Sequence, residues 1–226
     1  HPAPPAPRAL VPPALLPARL VGQLLFELAT ESHLPMALAS LCRAGNLAAL
    51  QAYCTQANVT VMQVREDRVL AQACADGQLE VARWLQQTFQ LDAADVLDNN
   101  YGALIWACGN GHLEIVRWLH QTFHLTTAAV QVNDNIALRS ACEYGYLDVA
   151  SWLQHTFQLT AADAHAKNGC ALRWACHNNE HEIVRWIQRT WGVPPDIILE
   201  GIACAPADSA CAAYLHRLRV LTWSPR

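Results

Sequence analysis

Charge is scarce in this chain. Only 15% of its 226 residues are Asp, Glu, Lys or Arg, and they balance to −4. A nucleic-acid surface needs a basic patch, and the 15 basic residues are nowhere clustered enough to make one. Long apolar runs are missing too. None reaches the roughly 18 residues that a membrane-spanning helix needs. The first residues lack the charged-then-apolar order of a secretory leader, because prolines interrupt them throughout. There is no glycine-rich phosphate loop and no C-x-x-C pair of the kind that holds zinc. These gaps argue against nucleic-acid, membrane, nucleotide and zinc-ribbon functions. Low charge beside a hydrophobic content of 53% argues for a packed core rather than disorder.

What the chain does have is a period. Ala73–Phe89, Ala107–Phe123, Ala141–Phe157 and Ala175–Trp191 are four versions of one block. Cys74, Cys108, Cys142 and Cys176 are 34 residues apart, and so are Trp84, Trp118, Trp152 and Trp186. A fixed period of this length is the mark of stacked like units. Such a stack offers a long surface and seldom an enclosed cleft. Each unit reads as two helices. Leu138, Ala141 and Cys142 line one face of the first, and Leu147, Ala150, Leu153 and Phe157 line the second. Gly145, matched by Gly77 and Gly111, falls between them. Asp148, matched by Glu80, Glu114 and Glu182, opens the second helix, where the helix dipole favours an acid. In the linker that follows, Thr160 with Asp163 forms a helix-start signature, so a short extra turn is expected. Asn100, Asp134 and Asn168 precede the next first helix, as residues that tolerate left-handed backbone.

These readings set the domains. Residues 1–17 hold seven prolines and form an arm; residues 18–41 are helical, with Leu20, Leu24, Leu25 and Leu28 on one face. Residues 42–216 are the repeat domain, and 217–226 a tail. A degenerate first unit starts at Cys42, and a worn last one holds Cys204, Tyr214 and Leu215. Wear at both ends fits capping. The expected fold is all-α: a solenoid of stacked helix-turn-helix repeats.

The matched cysteines lie about one helix spacing apart, near 10 Å, whereas a disulfide needs Cα atoms within about 7 Å. They read as buried thiols in a reducing compartment, which implies a cytoplasmic protein. Cys170 with Cys176, or Cys204 with Cys211, lacks a ligand-pair spacing. His177–His181 spells the letters of an H-x-x-E-H zinc protease, but the register puts it on the turn between helices, where one continuous helix is required. No metal, cofactor or catalytic residue is therefore expected. The tryptophans of the second helices read as core.

Ala107–Cys108, Gly111–His112, Ile115–Val116 and Leu119 resemble the A-A-x-x-G-H-x-x-I-V-x-x-L-L pattern of ankyrin repeats. The resemblance covers about 42–216. A tetratricopeptide array shares the period, but its Trp belongs to the first helix, and here Trp follows the glycine. The family's T-P-L-H turn is reduced to Leu70, Leu104, Leu138 and Leu172, which puts its β-hairpin fingers in doubt in favour of short helical turns. The resemblance implies a monomeric, non-catalytic scaffold that binds a protein partner through its concave face. It places contacts on the turn before the first helix (Asp67, Tyr101, Asn135, Gly169) and on that helix's end. Aromatic and arginine side chains that vary between units select Tyr101, Trp106, Arg139, Tyr144, Arg173, Trp174 and His177. A second resemblance gives an alternative. Leu16–Pro17, Leu20, Leu24–Leu25, Leu28 and Cys42–Arg43 resemble an F-box, which implies a ubiquitin-ligase adaptor that holds substrate on its repeats.

Overall fold

The computed structural model describes residues 34–66 and 68–222, without the side chains of 34–37, 97–101 and 222. The proline arm, most of the F-box-like stretch and Asp67 lie outside the described residues, as does the side chain of Tyr101.

The described helices alternate between two layers. The first-helix layer is α1 (Leu34–Ala44), α4 (Val69–Ala75), α6 (Ala93–Gly109), α9 (Val132–Glu143), α12 (Ala166–His177) and α14 (Pro195–Cys204). The second is α2 (Leu47–Gln56), α5 (Leu79–Phe89), α7 (Leu113–Phe123), α10 (Leu147–Phe157), α13 (His181–Trp191) and α15 (Ala210–Thr222). Each first helix packs on its own second helix and on the first helices either side of it. Among the described residues there is no strand. Short helical turns stand in the linkers: α3 (Val61–Glu66), α8 (Thr127–Val130) and α11 (Ala161–Ala164).

The repeated letters explain the stack. Ala73–Cys74, Ala107–Cys108, Ala141–Cys142 and Ala175–Cys176 are all buried, and their small side chains let neighbouring first helices approach closely. The second helices contribute Val81, Ile115, Val149 and Ile183, with Leu85, Leu119, Leu153 and Ile187, to the same core. Trp84, Trp118 and Trp152 each meet a phenylalanine five residues on (Phe89, Phe123, Phe157) edge to face, with centroids 5.9, 5.7 and 5.8 Å apart. Trp186 meets Trp191 in the same way at 4.9 Å. Trp118 is buried; the other three are half-buried and lean on the core.

Turns between the helices lock one unit to the next. Gly145 has φ +80°, and a side chain there would run into Glu180 of the following unit. Gly111 stands in the same relation to Tyr146. Glycine is thus required twice over, by backbone sign and by space. Asn110 Nδ2 donates to Ala75 O at 2.7 Å, and Asn178 Nδ2 donates to Glu143 O at 2.7 Å, so matched asparagines tie each turn to the one before.

The linkers follow their caps. Thr160 and Asp163 form a capping box, as their spacing predicts, and Asp92 with Asp95 forms another at the start of α6. At the entry to α9, Asn133, Asp134 and Asn135 are all left-handed (φ 51°, 56° and 59°). Lys167, Asn168 and Gly169 repeat this at the entry to α12. Asn and Asp bear that conformation better than other L-residues because their short side chains bond locally.

The last unit departs from its expected phase. A Cβ on Gly201 would press on Leu172 and on Cys176 Sγ, at 3.3 and 3.4 Å, and Cys204 reaches the same preceding unit at Arg173. Gly201 therefore stands against the preceding unit, while Cys204 is half-buried. The linker into α14 is shortened around Pro194, which moves the helix's register. Leu215 is buried as expected, and Tyr214 packs beside it.

Candidate functional site

The outward side of the first helices carries the largest exposed aromatic surface among the described residues. Its positions fall into rows, one member per unit. One row is Gln72, Trp106, Ser140 and Trp174; a second is Ala71, Ile105, Arg139 and Arg173; a third, at the helix ends, is Asp76, Asn110, Tyr144 and Asn178. Trp106, Tyr144 and Trp174 are 58%, 55% and 44% exposed, in a chain whose other aromatic side chains mostly lean on the core. His177 is exposed and stacks edge-on to Trp174 at 5.7 Å. Arg139 and Arg173 are half-buried on the same side. Six of the seven residues selected from sequence thus lie on or beside these rows, with the side chain of Tyr101 outside the described set.

The turn before the first helix is different from its sequence expectation. Asn135 is only 4% exposed, and Gly169 is buried. The linker helices roof these positions. Asn135 Nδ2 donates to Asp163 Oδ1 at 3.2 Å, and Ile197 closes over Gly169. Asp163 also accepts from the Thr160 amide, the Thr160 hydroxyl and Gln131. Burial alone would raise this carboxyl, but those hydrogen bonds outweigh it and hold it below the usual carboxylate range. It is a structural clasp rather than a contact surface.

A hollow of about 400 Å³ opens on the face between α4 and α6, lined by Arg68, Ala71, Gln72, Asp76, Trp106 and Asn110. Trp106 separates it from a smaller one of about 70 Å³ that Leu91 and Asp95 help to line. The repeat phase already placed Gln72 and Asp76 on this surface in register with Trp106 and Tyr144, but neither was among the residues selected. Asp76 accepts from Gln72 Nε2 at 2.6 Å and faces Arg43 at 3.9 Å, so its charge is answered within the face.

The histidine motif is broken between two helices, and most core thiols are held from ionisation, whereas the hydrogen bond from Cys176 lowers Cys211. α12 ends at His177 and α13 begins at His181, with Asn179 left-handed between them (φ 61°). The two histidines therefore belong to different helices. Among the described residues, no three His, Cys, Asp or Glu side chains converge as metal ligands. Burial pushes the thiols of Cys42 and Cys142 up to about 12 and that of Cys54 to about 11. Cys74 and Cys108 are pushed up further by the same cause. A thiol so far from ionisation is a poor nucleophile.

A search of curated proteins gave no match. A family model described as ankyrin repeats (3 copies) matches residues 35–129 and again 70–163, which together span more than half of the 226 residues. Its first match opens within α1. Repeats of this kind serve generally as protein–protein interaction modules. No described helix is long and apolar enough to cross a membrane. With its period, its two helical layers and this match in agreement, the chain belongs to the ankyrin-repeat family.

Proposed function

We propose that this chain is a non-catalytic scaffold that binds a protein partner on the concave, first-helix face. The observation that carries the reading is the exposure of Trp106, Tyr144 and Trp174 on one side of a stack whose other described aromatics are buried or half-buried against the core. Large aromatic side chains left in water lose the free energy that burial would give, about 25 cal/mol per Å². Aromatics and arginines together are also the residue types that dominate binding energy at interfaces. The second-helix face carries instead short-range pairs, Glu80 with Arg83, Glu114 with Arg117 and Glu182 with Arg185, that neutralise one another. The reading includes a monomer in a reducing, cytoplasmic setting.

Site-specific cross-linking tests it. A photoreactive residue at position 144 is expected to trap the partner, and one at position 117, exposed on α7, is expected to trap none. Adducts from position 117 alone would overturn the reading. A chain shortened to begin at Leu34 addresses the F-box alternative. The packing of α1, with Cys42 buried, against α2 and α4 favours a repeat there over a separate adaptor module. The shortened chain is expected to keep its partner. Loss of a ligase subunit on that deletion alone would favour the adaptor.

A further inference from the structure

The first-helix face is chemically uneven, and its middle differs from its ends. Trp106 and Trp174 stand two units apart, with the small Ser140 between them. A Cβ on Gly109 would touch Ser140 Cβ at 3.4 Å and the Tyr144 ring at 3.8 Å, so Gly109 and Ser140 lie side by side. Around these small residues the same rows hold the exposed side chains of Trp106, Tyr144 and Trp174. Arg139 adjoins Ser140 in the chain. Its Nε–H is buried with no acceptor, and among the described residues no ion pair reaches its guanidinium. Glu143, one turn on, forms none with it. Arg173, its counterpart one unit along, is already partly answered: it pairs with Glu200 at 4.0 Å across an exposed gap and is held by Cys204. At the other end of the face the acid is already answered, since Asp76 holds Gln72 and faces Arg43. The unpaired charge of Arg139 and the weakly paired charge of Arg173 thus lie beside exposed aromatic surface.

We propose that the occupant of this face is an acidic peptide segment in extended form. A bulky apolar side chain seats over the small Gly109 and Ser140, and carboxylates on either side of it pair with Arg139 and, in place of Glu200, with Arg173. The inference rests on the reading of this face as the binding surface and adds the chemistry of the partner. Guanidinium groups suit the pairing because their planar fork matches a carboxylate with two hydrogen bonds. Adjacent units place the two arginines about 10 Å apart, which an extended chain spans in about three residues. The segment therefore has two acids about three positions apart around one large apolar residue. The exposed aromatic side chains give the site its grip, and the arginines give it preference by charge.

Selection from a random displayed dodecapeptide library on the full chain tests the inference. Three chains are compared: the parent, Arg139→Glu with Arg173→Glu, and Trp106→Ala with Tyr144→Ala and Trp174→Ala, each checked for helicity and cooperative melting. The parent is expected to enrich peptides with Asp or Glu about three apart around Phe, Trp, Leu or Met. Synthesised winners are expected to lose at least tenfold in affinity for the charge-reversed chain, and to bind the parent more weakly as salt rises. Neutral or basic winners, acidic winners that bind the charge-reversed chain undiminished, or no enrichment at all would overturn the inference and leave the surface reading standing. Winners that bind the aromatic-deleted chain as well as the parent would overturn the surface reading itself.

Discussion

Trp118 and Trp106 belong to consecutive helices and to opposite environments. Trp118 is 9% exposed and packs on Phe123; Trp106 is 58% exposed. Trp118→Ala is expected to cost about 3–5 kcal/mol in chemical unfolding, as a core truncation. Trp106→Ala is expected to stay within about 0.5 kcal/mol of the parent. Equal costs would erase the distinction between the two sets. The phase of the repeat made this distinction legible, because a tryptophan present in every unit packs and one present in alternate units need not. Degree of burial was less legible: Trp84, Trp152 and Trp186 keep an edge in water. Thiols make a second prediction at this scale. Unfolded cysteines ionise near 9, whereas Cys42 and Cys142 in the fold ionise only near 12. Below pH 9 the thiols are protonated in both states and their contribution is fully present. From about 9 to 12 the unfolded chain gives up protons that the folded one keeps, so stability falls. Each such thiol steepens the fall by about 1.4 kcal/mol per pH unit. Urea unfolding at pH 8, 9 and 10 reads the slope, and Cys142→Ala should flatten it. A parent stability unchanged from pH 9 to 10 would contradict the burial account.

The linkers carry the structure's departures from the pattern of their family. Their Thr and Asp caps specify helical turns. Thr160 and Asp163 were readable as such because the S/T-x-x-D spacing is local. The roof that the same turn makes over Asn135 was not readable, because it depends on where the turn lands on the neighbouring unit. Asp163→Ala removes both the cap and the clasp. It is expected to cost about 1–3 kcal/mol, and a cost near zero would show that the clasp does not hold the units together. The ends of the second helices test the reverse case. Gln90, His124 and Gln158 close α5, α7 and α10 in the left-handed region, with φ of 51°, 51° and 53°. Glycine bears that conformation without the steric cost of a Cβ. His124→Gly is expected to stabilise the chain by about 0.5–1 kcal/mol. A lower melting temperature would mean that His124 makes an unrecognised contribution.

At the scale of the molecule, six first helices and six second helices among the described residues form one continuous core, in which each unit is held chiefly by its neighbours. The 34-residue period made the architecture legible, since it fixes what is buried in every unit at once. It loosens at the last unit, where Cys204 follows Cys176 by 28 residues instead of 34 and Gly201 of α14 packs against Cys176. For the candidate face, variation within a row pointed to Trp106, Tyr144, Trp174 and His177, and each is exposed there. The hollow beside Gln72 and Asp76 needed three dimensions, because its walls come from two units. The account's central claim is that one face of this stack captures a protein. Quantitative co-purification from cells tests it most directly, comparing the parent with the chain carrying Trp106→Ala, Tyr144→Ala and Trp174→Ala. The account predicts at least tenfold loss of a specific partner, with helicity and melting temperature unchanged. Full recovery of every partner by the substituted, folded chain would contradict it.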